Sequence, residues 1–248
     1  MLKIATIFFC ISFLLSFTAD DLVESMNSKV KPKDIESELT MVLTNKKGRV
    51  KTSKLKTVSS KNSEKQIIWF LEPRKDRGIA LLKVEHQDKS DEMRMWLPAF
   101  KKIRRITSNK KAGSFMGSDL SYEDLYTREI QDYKYSMRES EEVDGMACHV
   151  LVSVPNKELL SEYSKHLSWI DKNSLLPVKE ESYDKDDKLL KKKEVKYAKI
   201  GKYSLIKEIY VENVQKKHST LLKFDNFKVD RSVEDGFFNE SKLKRIPK

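Results

Sequence analysis

Four histidines, two cysteines and a scatter of serines and carboxylates are the side chains here with chemistry to offer. His86, His149, His166 and His218 lie far apart, with no His-x-x-x-His pair and no cysteine at ligand spacing, so a zinc site has no signature. Ser114 sits in Gly113-Ser114-Phe115-Met116-Gly117, which is the wrong order for the Gly-x-Ser-x-Gly turn that exposes a nucleophile. Asp184-Lys185-Asp186-Asp187-Lys188 lacks the glycine and distal glutamate of a calcium loop and reads as a hairpin turn. There is no glycine-rich phosphate loop. No catalytic residue, metal ligand or cofactor site is therefore assigned, and an enzyme is not expected. A hydrolase would need a serine or aspartate beside one of the histidines, which spacing alone does not supply.

Binding chemistry is better represented. Trp69, Trp96, Phe100, Phe115, Met116 and Trp169 are the candidate residues for contact with an apolar ligand. Taken singly, each fits an ordinary core. Phe115 and Met116 stand apart, because large apolar side chains between glycines on a loop make good lid elements. Close by are Lys101, Lys102, Arg104 and Arg105. Of these, Lys101, Arg104 and Arg105 are the candidates for contact with lipid headgroups or a membrane, and a plain solvated surface is an equal reading.

The elements that position these residues are mostly strands. Pro98 argues against a helix after Trp96, so an extended segment is expected there, followed by turn-forming residues 108–113. The run Ser121-Tyr122-Glu123-Asp124 fits a capping box and predicts a short helix start. Asp20 or Asp21 can cap another short helix through Met26. Leu39, Met41 and Leu43 alternate on one face, and Asn45 to Gly48 turns into a second strand from Val50. In Gln66 to Glu72 both faces are apolar, which requires cover on both sides, by packed elements or by a bound apolar ligand. Strand-like segments recur from Ile79 to Val84, from Met93 to Leu97, and in seven runs between Tyr133 and Val229. Residues 236–246 read as a terminal turn with Phe237, Phe238 and Leu243 tucked inward. One large, twisted antiparallel sheet with a few short helices on one face follows: a mainly β, α+β fold.

Residues 1–19 read as a signal peptide, with Lys3 before an apolar run from Ile4 to Phe17 that is short for a membrane span. A cut after Ala19 leaves one domain, 20–248, although Phe17 sits where a small residue is preferred. The whole chain carries +11, and losing Lys3 leaves 48 basic against 38 acidic residues, a balance of +10. Export argues against nucleic acid as the partner, leaving an anionic membrane surface or an acidic protein. With Cys10 removed, Cys148 has no disulfide partner.

Leu97-Pro98-Ala99, Arg104-Arg105 and Phe115-Met116-Gly117-Ser118-Asp119 together resemble a poorly characterised branch of the LolA-like outer-membrane lipoprotein-sorting proteins. Phe70-Leu71-Glu72-Pro73, Tyr163-Ser164-Lys165, Trp169-Ile170-Asp171-Lys172 and Asp235 with Phe237-Phe238 extend the resemblance over nearly all of residues 20–248. It implies an unclosed β-barrel whose concave side holds an apolar cavity lidded by helices. It further implies a periplasmic carrier that shields lipid or lipoprotein acyl chains during transfer between membranes. The alternative is a sensor or accessory subunit that binds envelope proteins or a transporter, and a cavity filled by the protein's own side chains would mark it.

Overall fold

A computed structural model describes residues 17–86, 88–107 and 110–247; the expected signal segment lies almost wholly outside them. Thirteen strands follow one another: β1 (Asp34–Thr44), β2 (Val50–Ser60), β3 (Lys65–Glu72), β4 (Ala80–Val84), β5 (Glu92–Leu97), β6 (Lys102–Arg105), β7 (Tyr133–Val143), β8 (Met146–Pro155), β9 (Lys165–Asp171), β10 (Pro177–Tyr183), β11 (Leu189–Ile200), β12 (Tyr203–Asn213) and β13 (His218–Val229). They form one sheet in the order β6-β5-β4-β3-β2-β1-β13-β12-β11-β10-β9-β8-β7. Every pairing is antiparallel. Two meanders thus meet where β1 pairs with β13, and the sheet is an unclosed half-barrel. Between the edge strands β6 and β7, residues 110–132 cross its concave face.

Strand alternation sorts the side chains. Ile68 and Phe70 of β3 face inward with Leu39, Met41, Leu55, Met93 and Leu222, while Ile67 and Trp69 face outward. The cover that a doubly apolar strand requires comes from the protein itself. Phe115 and Leu120 cover the inner side, and Phe238 and Leu243 cover the outer. Leu243 ends helix α2 (Glu240–Leu243), capped by the Asn239 carboxamide. Helix α1 (Ala19–Asn27) buries Leu22 and Val23 against Leu151 and Ile170. Its N-cap is Thr18, not an aspartate; Asp21 instead occupies the third helical position and completes a capping box.

The segment after Trp96 departs from a simple extended chain. Pro98 opens a single 3₁₀ turn, Pro98–Phe100, where its missing N–H and fixed φ are tolerated, and Lys101 at φ +49° reverses the chain into β6. The capping box at Ser121 is present. The Ser121 amide donates to the Asp124 carboxylate at 2.8 Å, the Asp124 amide donates to Ser121 Oγ at 3.3 Å, and the helix they start is one 3₁₀ turn, Glu123–Leu125.

Candidate functional site

The crossing segment divides the concave face. Its first part is a plug. Phe115, only 3% exposed, packs on Phe70 with ring centroids 6.0 Å apart and on Tyr122 at 6.2 Å. Sequence explains the shape: Met116 at φ +51° and Gly117 at φ +82° make the two positive-φ positions of a tight turn closed by the Ser118 amide donating to the Phe115 carbonyl at 2.9 Å. Ser118 and Ser114 hydroxyls donate to carbonyls within the loop, both at 2.6 Å. Asp119 fastens it to β13, accepting from the Thr220 hydroxyl at 2.6 Å and lying 2.7 Å from His218 Nδ1.

The second part is anchored by charge. Asp124 accepts from Lys191 at 2.9 Å and from the Tyr163 hydroxyl at 2.8 Å. Burial works against its charge, yet Lys191, Lys193 and the Ser121 amide hold its carboxyl down to about 2. Four residues on, Arg128 reaches Glu180 of β10 with a two-pronged contact, 2.5 and 3.0 Å, and Lys193 of β11 donates to the same carboxylate at 2.7 Å. Glu180 is buried, which opposes ionisation, but Arg128 and Lys193 keep it well below the usual carboxylate range. Lys83 of β4, also buried, donates to the Leu125 carbonyl at 2.7 Å, and Glu85 accepts the Thr127 amide at 3.1 Å.

Beside these ties lies a cavity of about 790 Å³. Its wall runs from Glu64, Glu85 and Asp91, through Tyr126 and Arg128 of the crossing segment, to Tyr163 and Glu180, with Leu159 and Leu160 at one side. Carboxylates outnumber cationic side chains in the lining eight to four, an acidic hollow in a basic chain. Glu129 sits there with its carboxyl pushed up by burial and by Glu85, Glu64 and Asp132.

His166 tests the hydrolase reading. Its Nδ1 is 2.8 Å from Ser182 Oγ and 3.3 Å from an Arg128 nitrogen. A guanidinium only donates, so Nδ1 accepts and the ring proton belongs on Nε2. Burial and then Arg128 push this histidine down to about 3, leaving it neutral. His166 lines the cavity but Ser182 is buried and absent from its wall, so the hydroxyl that would have to attack is not presented to the hollow. Among the described residues no group of His, Cys, Asp and Glu is arranged to hold a metal.

The six aromatic and methionine candidates are not brought together, and none lines this cavity. Trp69 and Trp96 share an outer-face row through Ala80, where the Trp69 indole donates to the Lys242 carbonyl at 3.1 Å and Lys244 lies 5.5 Å over Trp96. Trp169 is on the outer face of β9 in a separate cluster with Val150, donating to Glu141 at 2.8 Å. Phe115 and the half-buried Met116 form the plug. Phe100 is 70% exposed on the turn before β6, alongside exposed Lys101, Arg104 and Arg105. Sequence reasoning missed Asp124, Arg128, Glu180 and Lys193. The available signal was alternation: Glu180 with Ser182, and Lys191 with Lys193, put charged and polar groups on one strand face.

Comparison with solved structures places the half-barrel among lipoprotein-sorting folds. A domain from Vibrio parahaemolyticus proposed to sort outer-membrane lipoproteins is 29% identical, with a TM-score of 0.85 over 91% of this chain and 97% of its own. The LolA superfamily protein NE2245 from Nitrosomonas europaea shares the fold at 18% identity and a TM-score of 0.73, over 92% of this chain and all (100%) of its own. A DUF1329 family protein from Desulfovibrio piger is 31% identical, with a TM-score of 0.84 over 90% of this chain and 96% of its own. A family model described only as "uncharacterized protein" matches residues 62–245. The chain belongs to the DUF1329 family, within the LolA-like fold. No curated protein matches it. The fold suggests a carrier or binding role. No helix among the described residues is long and apolar enough to cross a membrane.

Proposed function

We propose that this protein is an exported, non-enzymatic binding subunit of the periplasm that engages a segment of an envelope protein at its concave cavity, without carrying free lipid. The observation that supports this reading is the division of the concave face. Its apolar half is occupied by Phe115 and Leu120 of the same chain, and the hollow that remains is lined largely by polar and charged side chains, among them eight carboxylates, with tyrosines and two leucines. An acyl chain gains on the order of 0.8 kcal/mol per methylene only where it meets apolar walls. A basic peptide segment suits a wall whose carboxylates outnumber its cations better, with Glu64 and Glu129 as the first contacts because Glu85 already pairs with Lys83 and Asp91 with Lys111.

Carriage of lipid or lipoprotein acyl chains is the second reading, favoured by the lipoprotein-sorting role proposed for the Vibrio relative. It requires the plug to leave, which would uncover Phe70, Met41, Met93 and Leu222 as an apolar trough. Native mass spectrometry of protein purified from its own envelope without detergent separates the two. Empty protein that takes up a lysine-rich peptide, and loses it when Glu64 and Glu129 become glutamine, supports the subunit reading. A stoichiometric lipid, lost in Phe115→Asp, overturns it in favour of carriage.

A further inference from the structure

The hairpin turns of the first meander alternate between the two ends of its strands, and charge separates with them. At one end are the connections after β1, β3 and β5: residues 45–49, 73–79 and 98–101. They carry seven basic side chains, at positions 46, 47, 49, 74, 75, 77 and 101, all exposed. Asp76 is their one acidic residue, and Lys51 already pairs with it at 2.8 Å. At the other end, the connections after β2 and β4 contribute Glu64, Glu85, Asp88 and Asp91 against Lys61 and Lys89.

The three basic turns form one continuous surface. Lys51, at the start of β2, links the first turn to Asp76 of the second. Gly78, at φ +85°, lets the second turn meet the third: a Cβ there would stand 3.2 Å from Pro98 Cγ and 3.4 Å from Ile246 Cδ1. Apolar side chains stand out on this same surface, Phe100 at 70% exposure, Val50 at 62% and Ile246 at 39%. An exposed aromatic ring among exposed lysines and arginines is the pattern of an interfacial anchor, because the ring enters the headgroup layer while the cations stay with the phosphates.

We propose that this end of the half-barrel docks on an anionic lipid bilayer, with Phe100 as the inserted anchor and the three basic turns as the electrostatic contact. The acidic turns, and with them the Glu64, Glu85 and Asp91 side of the cavity, then face away from that bilayer, so the docked protein presents its hollow to the aqueous space. This inference does not depend on what the cavity holds.

The test is co-sedimentation of the exported chain with phosphatidylcholine vesicles, with and without phosphatidylglycerol, across a salt series. Binding is expected only with phosphatidylglycerol and falls as salt rises. Each near-surface charge contributes about fivefold in affinity, so Arg77→Glu with Lys101→Glu is expected to lower binding at least tenfold. Phe100→Ser, at an exposed site where folding is not at stake, is expected to weaken binding while leaving the salt dependence unchanged. Equal binding to both vesicle types overturns the proposal. So does failure to bind phosphatidylglycerol vesicles by protein that binds polyglutamate, which would assign the face to an acidic protein.

Discussion

The two halves of the concave face receive the same crossing segment in different ways. Around Phe115 the contact is apolar and shape-filled, and its polar atoms are satisfied within the loop or by Thr220. Around Arg128 the contact is made of ion pairs whose carboxylates, on Glu180 and Asp124, are largely shielded from solvent. The first kind of contact loses stability in proportion to the volume removed. The second resists removal of either partner, since the other is left charged and only partly solvated. It is also the kind that another charged group can replace. Under the proposed function, ligand exchange belongs on the polar side, and the apolar side stays closed unless Phe115 leaves.

The largest effect is expected from breaking the polar half. Glu180→Ala strands Arg128 and Lys193 and is expected to cost about 4 kcal/mol, read from the urea midpoint. A loss below about 1 kcal/mol would mean that these ties are solvated and the contrast is false. Phe115→Ala is expected to cost about 3 kcal/mol and to let an apolar fluorescent probe bind beside Phe70. If the probe stays out, the apolar half collapses on itself and cannot serve as a latent trough.

Acid sharpens the comparison next. Folded His166 stays neutral down to about 3, whereas the unfolded ring takes up its proton near 6.5. The unfolded state then binds more protons, and stability falls as pH drops from 6.5 toward 3, by about 2 kcal/mol at pH 5. Urea midpoints at pH 7 and pH 5 measure this, and His166→Gln is expected to flatten the difference. Asp124 contributes lower down, between its ordinary 3.8 and about 2, because its stabilising charge is lost as that carboxyl protonates. The smallest effect belongs to the plug turn, where Gly117→Ala at φ +82° is expected to cost about 1 kcal/mol in a thermal melt.

Most strands were legible because their signal is local. Leu39, Met41 and Leu43 alternate, and every strand run read between Tyr133 and Val229 falls on a strand, although β7 runs on to Val143, beyond the Arg138 where its run was read to end. The doubly apolar β3 was legible too, but not what covers it. That cover comes from Phe115 on one side and Leu243 on the other, each far away in sequence, the first on a loop and the second in a helix of only four residues, both too short to show periodicity. The same limit hid the ion pairs. Arg128 reads as an ordinary loop residue until the chain crosses the sheet and meets Glu180, fifty-two positions later. Capping chemistry at Ser121 is local and was readable, whereas the 3₁₀ turn at Pro98 depends on a reversal at Lys101 that residue type does not announce.

The pairing of β1 with β13 bears on how the chain comes to be folded. Ile35 lies opposite Val229, while the other strand pairs join neighbours along the chain. Each meander can zip up by short-range steps, but the seam between them must wait for nearly the last strand to arrive. A chain crossing a membrane from its N-terminus would meanwhile leave the outer edge of β1 open, with a row of amides and carbonyls available to any other chain. Topology thus predicts seam closure as the slow step, and the interval before it as the time when the open edge most needs protection.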